Sequence, residues 1–126
     1  MRYSEAILAH FNHPKNVGVF APDEQNVARA AVGSYENGAV VHLQLKILQD
    51  KIMGAKFKAY GTAPLIATCS YLTEWVTYKT IAEAGELDSG ALMRALEIPE
   101  LKIHCAIIAQ DALKAAISDY SKQNKK

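Results

Sequence analysis

Apolar and polar side chains alternate through the second quarter of the chain, which is the period of a β-strand with one buried face. The apolar positions of this stretch are Val41, Leu43, Leu45 and Ile47. Asn37-Gly38 is a strong hairpin signal on one side, and Gln49-Asp50-Lys51 is a plausible turn on the other. The pattern predicts three antiparallel strands between about Val27 and Lys58.

The remaining apolar positions follow the period of a helix. Ser4 is suited to cap a short helix that ends near His10. A longer helix follows Gly61, with Pro64 in its first turn and one apolar stripe at Leu65, Cys69, Leu72 and Val76. Two short helices are expected from Ile81 to Ala84 and from about Ala91 to Leu96.

A last helix is predicted from Lys102 to about Tyr120. We expect its core side to contain Ile103, Ile107, Leu113 and Ile117. The polar tail 121–126 should fray. Strands followed by helices indicate an α+β fold, a three-stranded antiparallel sheet with helices packed on one face, and residues 1–126 are expected to form a single domain.

Composition limits the classes of function. The 14 Lys and Arg residues against 13 Asp and Glu residues give a net charge of +1, which offers nucleic acid or an anionic membrane little attraction. No apolar run reaches the length of a membrane span, and the first residues lack the pattern of a secretory signal. We therefore expect a soluble, cytoplasmic protein with reduced thiols, no membrane contact and no direct nucleic-acid binding.

His104-Cys105 is the best candidate for chemistry, because imidazole and thiolate both bind zinc and iron. Neighbouring helical residues point about 100° apart, so the pair converges only at a helix end or a distortion. Near a helix N-terminus the macrodipole would favour the thiolate, which would make Cys105 a nucleophile or sulfur acceptor. Spacing alone favours the alternative, a buried thiol beside a surface histidine.

The other candidate residues have structural explanations. Cys69 lies on the apolar stripe and is expected in the core. His10 and His13 are three residues apart, but Pro14 disrupts a shared helix face, and His42 falls on the polar side of its strand. Nucleotide-binding, nucleophile-elbow and HExxH motifs are absent from the sequence.

Several segments, in matching order and spacing, resemble the IscU/NifU N-terminal iron–sulfur scaffold family over nearly the whole chain. They are Tyr3-Ser4-Glu5 with His10, Pro14-Lys15-Asn16-Val17-Gly18, Leu43-Gln44-Leu45-Lys46, Phe57-Lys58-Ala59-Tyr60-Gly61, Thr73-Glu74-Trp75-Val76, Lys102-Ile103-His104-Cys105 and Ala109-Gln110-Asp111-Ala112. The resemblance implies a non-enzymatic scaffold or carrier that assembles a cluster from iron and desulfurase-delivered sulfur.

The resemblance also identifies three ligand segments, of which this chain retains one. The family's Cys-Gly-Asp turn aligns with Asn37-Gly38-Ala39, and its second cysteine aligns with Thr62. Only His104-Cys105 matches the family pattern. Because thiolates are the usual cluster ligands, we expect iron, zinc or an iron–sulfur cluster to bind weakly or only with ligands shared between chains.

Partner segments follow from the same resemblance. It implies a cysteine desulfurase and other iron–sulfur or sulfur-accepting proteins as partners, with a homodimer as a further option. The partner-binding residues are expected to be Tyr3, Pro99, Glu100, Leu101 and Lys102. The family presents Leu-Pro-Pro-Val-Lys to an Hsp70-type chaperone, but this chain has Ile98-Pro99-Glu100-Leu101-Lys102, and the glutamate argues against that recognition.

Three functions remain open at this point. One is a scaffold homologue with a degenerate cluster site. The second is a persulfide relay through Cys105, from a desulfurase to an acceptor such as an RNA-thiolating enzyme. The third is a regulatory module that docks on the assembly machinery without chemistry, for which Cys105→Ser would leave cellular activity unchanged.

Overall fold

The computed structural model describes residues 2–123 and has an α+β architecture, as predicted. Its elements in chain order are α1 (Glu5–Asn12), β1 (Val27–Ser34), β2 (Ala39–Leu48), β3 (Lys51–Tyr60), α2 (Ala63–Val76), α3 (Ile81–Ala84), α4 (Ser89–Leu96), a 3₁₀ turn (Glu100–Lys102) and α5 (Ile103–Gln123). Ser4 caps α1 by accepting a hydrogen bond from the Ile7 amide, as its position predicted.

The three strands form one antiparallel sheet in the order β1-β2-β3. In its middle, Leu43 pairs with Ala30 on one side and with Phe57 on the other. Gln49 and Asp50 both have positive φ, 50° and 61°, as a tight two-residue hairpin turn requires. The predicted second turn is therefore confirmed.

The first hairpin has a different loop from the one that Asn37-Gly38 suggests. Four residues, 35–38, connect β1 to β2, and within the loop only Gly38 has a positive φ, of 76°. The Gly38 amide donates to the Tyr35 carbonyl and the Asn37 amide donates to Ser34. The hairpin is confirmed, but Asn37-Gly38 forms the end of a longer loop.

Helices α2 and α5 cover one face of the sheet. The alternating residues of β2 face them, and Leu43, Leu45 and Phe57 are fully buried there. Leu65 and Leu72 of α2 and Leu113 of α5 complete this core. Burial of these side chains supplies the main stabilisation of the fold.

The loop after α1 extends the sheet beyond β3. Val17 forms an isolated parallel bridge with Phe57, and the Phe57 amide donates to the Asn16 carbonyl at 3.0 Å. The Gly18 amide in turn donates to the Phe57 carbonyl at 2.9 Å. These backbone hydrogen bonds satisfy part of the free edge of β3.

Helix α5 differs from its prediction in orientation and length. Ile103 and Ile107, expected on the core side, are 46% and 43% exposed. The buried residues are instead mostly small ones, namely Cys105, Ala106, Ala109, Ala112, Leu113 and Ala116. Small side chains let α5 approach the sheet closely, so the prediction for Ile103 and Ile107 was wrong.

The end of α5 also lies later than predicted. The helix continues to Gln123, where the Gln123 amide group donates to the Asp119 carboxylate at 2.9 Å and to the Val27 carbonyl at 3.3 Å. Residues 121–123 of the tail that was expected to fray are therefore helical. The rest of that tail, 124–126, lies outside the described residues.

Candidate functional site

The three segments that align with the family's ligand positions meet at one end of the sheet. The Thr62 hydroxyl oxygen lies 3.6 Å from the sulfur of Cys105. The loop 35–38 reaches the same end, since a Cβ added to Gly61 would lie 3.3 Å from the Gly38 carbonyl oxygen. The three segments therefore converge, although most of their residues are not of the types that bind metal.

Thr62 occupies the N-cap position of α2 with an extended backbone, φ −77° and ψ 168°. Its side chain makes no cap hydrogen bond. Instead the hydroxyl contacts Cys105, and the Thr62 carbonyl accepts from the amides of Leu65 and Ile66. This side chain therefore belongs to the site.

His104 and Cys105 occupy the first turn of α5, directly after the 3₁₀ turn. The Nε2 atom of His104 lies 3.6 Å from the Cys105 sulfur. His104 is exposed, whereas Cys105 is only 1% exposed. The imidazole of His104 therefore contacts the adjacent thiol. The pair lies at a helix end, where adjacent residues can converge.

The environment of Cys105 favours the protonated thiol. Burial raises the pKa of Cys105, and it outweighs three opposing effects: the Thr62 hydrogen bond, the Lys102 charge and the residue's own backbone N–H. The thiolate that the helix N-terminus was expected to favour is therefore the minor form at neutral pH. Cys105 becomes a good ligand or nucleophile only when a metal or base removes its proton.

Cys69 lies in the core, as its position on the apolar stripe predicted. It is 3% exposed, and burial, together with the negative charge that Cys105 would carry, raises the pKa of Cys69 to about 12. Cys69 is therefore uncharged at neutral pH.

The other histidines lie apart from the Cys105 region. The Nδ1 atom of His10 is 2.7 Å from the Ser70 hydroxyl, and Nε2 is 3.9 Å from the Glu74 carboxylate. His42 is exposed on the outer face of the sheet, as predicted. Within residues 2–123, no group of three or more His, Cys, Asp or Glu side chains could hold a metal ion.

Sequence reasoning missed two buried polar residues of α2. Ser70 and Thr73 are both 0% exposed. The Ser70 hydroxyl accepts from the Lys15 amide at 2.8 Å, and the Thr73 hydroxyl accepts from the Asn16 side chain at 3.2 Å. Two small polar residues three positions apart on an otherwise apolar helix are the signal that could have identified them. Their hydrogen bonds to Lys15 and Asn16 hold the loop after α1 against α2.

The predicted partner-binding residues differ in accessibility. Leu101 is 80% exposed and Glu100 is also exposed, while Pro99 and Lys102 are partly buried. The Lys102 amide donates to the Pro99 carbonyl at 2.8 Å, which closes the 3₁₀ turn. Tyr3 is partly buried against the core. Leu101 and Glu100 are therefore the members of this set that a partner reaches most readily.

Comparison with known proteins identifies relatives along the whole chain. The family model described as NifU-like N terminal domain matches residues 2–126. The iron-sulfur cluster assembly scaffold protein IscU of Buchnera aphidicola subsp. Schizaphis graminum is 44% identical over 127 residues, covering 99% of both chains. The protein of the same name from Escherichia coli K12 is 43% identical, covering 95% of this chain and 94% of its own.

Solved structures share the fold at low sequence identity. A NifU-like protein (N-terminal) from Brucella abortus superposes with a TM-score of 0.75 at 18% identity, covering 95% of this chain and 94% of its own. A putative scaffold protein for the SUF system from Fervidobacterium islandicum gives 0.66 at 20% identity, covering 91% of this chain and 96% of its own. These likenesses support the IscU/NifU-like architecture.

Two further findings bear on the class of protein. No helix in the described part of the chain is long and apolar enough to cross a bilayer. The curated relatives are named as scaffold proteins, which agrees with the prediction of a non-enzymatic scaffold or carrier. With a family model over 2–126 and relatives above 40% identity, the chain belongs to the IscU/NifU-like scaffold family.

Proposed function

We propose that this protein is a scaffold homologue of iron–sulfur cluster assembly or sulfur trafficking whose own site holds metal or cluster weakly, or only with ligands from a partner. One observation carries the proposal. The three ligand segments converge, yet Asn37, Ala39 and Thr62 supply no thiolate or carboxylate, and only His104-Cys105 has strong metal ligands.

The chemistry of clusters supports a weak site. Iron–sulfur clusters are usually held by four thiolates or by thiolates with histidines. Here the one thiol at the site is buried and protonated, so binding must also release its proton. The names of the curated relatives support a role for this chain in iron–sulfur cluster assembly.

The proposal includes a set of partners and a location. We infer docking to a cysteine desulfurase and to other iron–sulfur or sulfur-accepting proteins, in a cytoplasmic protein whose residues 1–126 form one domain. The exposed Glu100 stands where the family's chaperone-binding segment has a second proline. A charge there argues against Hsp70-type recognition.

Anaerobic reconstitution with iron and sulfide tests the proposal. The wild-type monomer should develop no stable charge-transfer absorption after desalting. The double variant Asn37→Cys/Thr62→Cys restores thiols at two exposed positions that align with the family's ligand cysteines, and it should retain about one cluster per chain. A cluster bound to each wild-type monomer would refute the proposal, and the double variant controls for the reconstitution itself.

A persulfide relay is the second candidate, favoured by the 3.6 Å separation of His104 Nε2 and Cys105 Sγ. In this step the imidazole accepts the Cys105 proton, and the thiolate attacks the terminal sulfur of a desulfurase persulfide. A sulfur–sulfur bond forms on Cys105 as the bond within the donor breaks, and the donor leaves as a thiolate. No net oxidant is needed.

Mass spectrometry after incubation with a desulfurase and cysteine tests the relay. The wild-type chain should gain one sulfur atom at Cys105, and Cys105→Ser should gain none. Cys69→Ala is the matched control, since its remaining thiol is Cys105 and the adduct should persist. An unmodified wild-type chain would exclude the relay and leave the scaffold proposal standing.

A further inference from the structure

The sheet face that α2 and α5 do not cover contains a cavity of about 330 Å³. It lies between Val19, in the loop after α1, and Tyr35, in the first hairpin loop, and the buried side chain of Val40 lies at its base. Its volume is within the range of about 300–1,000 Å³ that small-ligand sites have. The cavity is therefore large enough for one small molecule.

Two tyrosine rings form one side of this cavity. The ring centroids of Tyr35 and Tyr60 are 5.2 Å apart, with an angle of 60° between the ring planes. The two residues are nevertheless 67% and 56% exposed. Because so much of the aromatic surface is open, a flat ring of a ligand can stack on it.

A free positive charge lies beside the aromatic pair. Lys58 is directly opposite His42 in the pairing of β2 with β3, and both side chains are exposed. Lys58 forms no ion pair with any described residue. Among the described residues no carboxylate lines the cavity. The charge of the cavity therefore favours an anionic ligand.

The side of the cavity opposite the tyrosines is held in place by hydrogen bonds. The Phe20 amide donates to the side-chain carbonyl oxygen of Gln44 at 2.8 Å, and the Gly18 amide donates to the Phe57 carbonyl at 2.9 Å. The NH₂ group of Gln44 remains as a donor at the cavity. The cavity is thus formed before any ligand binds, which lowers the entropic cost of binding.

We infer that this cavity binds a nucleoside phosphate, with the base stacked on Tyr35 and Tyr60 and the phosphate at Lys58 and His42. Lysine supplies the charge for the phosphate, and imidazole donates an N–H in either tautomer. The net charge of +1 gives a long nucleic-acid strand little attraction, so the ligand is a single nucleotide. Binding is non-covalent and reversible, and it involves neither iron nor sulfur.

Titration of the full chain with adenosine monophosphate (AMP), followed by nuclear magnetic resonance, tests the inference. A chelator is present, so that no metal ion bridges the phosphate to the protein. The Kd should be about 0.1–1 mM, because the site is open on one side. The amides of Tyr35, His42, Lys58 and Tyr60 should shift, whereas those of α5, on the other side of the sheet, should not.

Two partial ligands separate the contributions of the base and the phosphate. Adenosine carries the ring without the charge, and inorganic phosphate carries the charge without the ring. Each should bind at least about tenfold more weakly than AMP, since each lacks one of the two contacts. Adenosine that binds as tightly as AMP would overturn the assignment of an anion site.

Variants at exposed positions assign each contact to a side chain. Lys58→Gln should weaken AMP binding about tenfold and leave adenosine binding unchanged, whereas Tyr35→Ala should weaken both. Lys114→Gln removes an exposed cation from α5, and Tyr78→Ala removes a ring that is 65% exposed after α2. Both control variants should bind AMP as the wild type does, and circular dichroism checks that all four are folded.

Three results would overturn the inference. The first is the absence of amide shifts at an AMP concentration of several millimolar, and the second is a Lys58→Gln variant that binds AMP as the wild type does. The third is binding of single-stranded oligoadenylate that tightens with its length, which would indicate a surface for a nucleic-acid strand. The titration contains no iron or sulfide, so its outcome is independent of cluster binding.

Discussion

The Thr62 hydroxyl lies 3.6 Å from the Cys105 sulfur. Thr62 directly precedes α2 and Cys105 lies in the first turn of α5, so the contact links the starts of the two helices. The two residues are 43 positions apart in the sequence. The contact has an electrostatic consequence, because the hydrogen bond lowers the pKa of Cys105 and partly opposes the effect of burial. Thr62 thus controls how readily the remaining thiol ionises.

Replacing Thr62 by valine should make Cys105 less reactive. The variant removes the hydroxyl that stabilises the thiolate, so the pKa of Cys105 should rise further above its ordinary value. For a hydrogen bond of about 1 kcal/mol, alkylation by iodoacetamide near neutral pH should slow about fivefold. The pH dependence of the alkylation rate measures the shift directly.

Thr77→Val is the control for this measurement. Thr77 is the C-cap residue of α2, and its hydroxyl donates to the Thr73 carbonyl. Its replacement should leave the Cys105 alkylation rate unchanged. Equal rates in wild type and Thr62→Val would mean that the hydroxyl does not bond the thiolate.

Alkaline pH should destabilise the fold through Cys69. The unfolded chain loses this proton near the ordinary pKa of 9.0, whereas the folded chain keeps it until about pH 12. Between these values the unfolded state binds fewer protons. The free energy of unfolding should therefore fall by up to about 1.4 kcal/mol per pH unit, while below pH 9 the contribution of Cys69 is fully present.

Urea unfolding of wild type and Cys69→Ala, from about pH 8 to about pH 10.5, isolates this effect. The variant should be less stable at the lower pH, because a buried side chain is shortened. Its stability should nevertheless fall less steeply with pH. The other titratable side chains are common to both proteins, so parallel curves would contradict the assignment.

The sheet could be predicted from the sequence because its signals are local. The alternation from Val41 to Ile47 requires only that one face of β2 is buried, and the turn at Gln49-Asp50 depends on two adjacent residues. The convergence of the three ligand segments was known only through the family resemblance. A contact such as that between Thr62 and Cys105 cannot be predicted from a local pattern, because it depends on how α2 and α5 pack.

The error at α5 has a physical cause as well. The prediction assigned Ile103 and Ile107 to the core from the helical period of the apolar residues. The helix instead turns an alanine-rich side to the sheet, which leaves Ile103 and Ile107 at the surface beside His104. This orientation of α5, which differs from the prediction, therefore leaves two large apolar side chains exposed beside His104.

Gly33 should be the least replaceable glycine at the first hairpin. Its φ is 92°, and a Cβ at this position would lie 2.1 Å from the backbone oxygen of Ala39. Gly33→Ala should therefore cost about 3 kcal/mol or more of the free energy of unfolding, since both the backbone strain and the clash must be relieved. Urea denaturation monitored by circular dichroism measures the loss.

Gly38→Ala provides the matched comparison four positions after the end of β1. Gly38 has a φ of 76°, but an added Cβ would meet no atom within 4 Å. Only the cost of a left-handed conformation remains, about 1 kcal/mol. Equal losses for the two variants would mean that the hairpin relaxes around Gly33.

Removing the Ser70 hydroxyl should release the loop that follows α1. Ser70 is 0% exposed, and its oxygen is 2.8 Å from the Lys15 amide and 2.7 Å from His10 Nδ1. Ser70→Ala removes the acceptor of the Lys15 amide and also the hydrogen bond between the hydroxyl and the His10 imidazole. The free energy of unfolding should fall by about 1 kcal/mol, the net contribution of a typical hydrogen bond, because Lys15 is itself exposed.

Hydrogen exchange distinguishes this local effect from general weakening. The Lys15 amide should exchange faster in Ser70→Ala, whereas amides of β2, which pair between β1 and β3, should change only as far as global stability does. Ser118→Ala, an exposed position on α5, should stay within about 0.5 kcal/mol of wild type. If Lys15 remained protected in Ser70→Ala, the bridge to Phe57 made by its neighbours Asn16 and Val17 would be holding the loop instead.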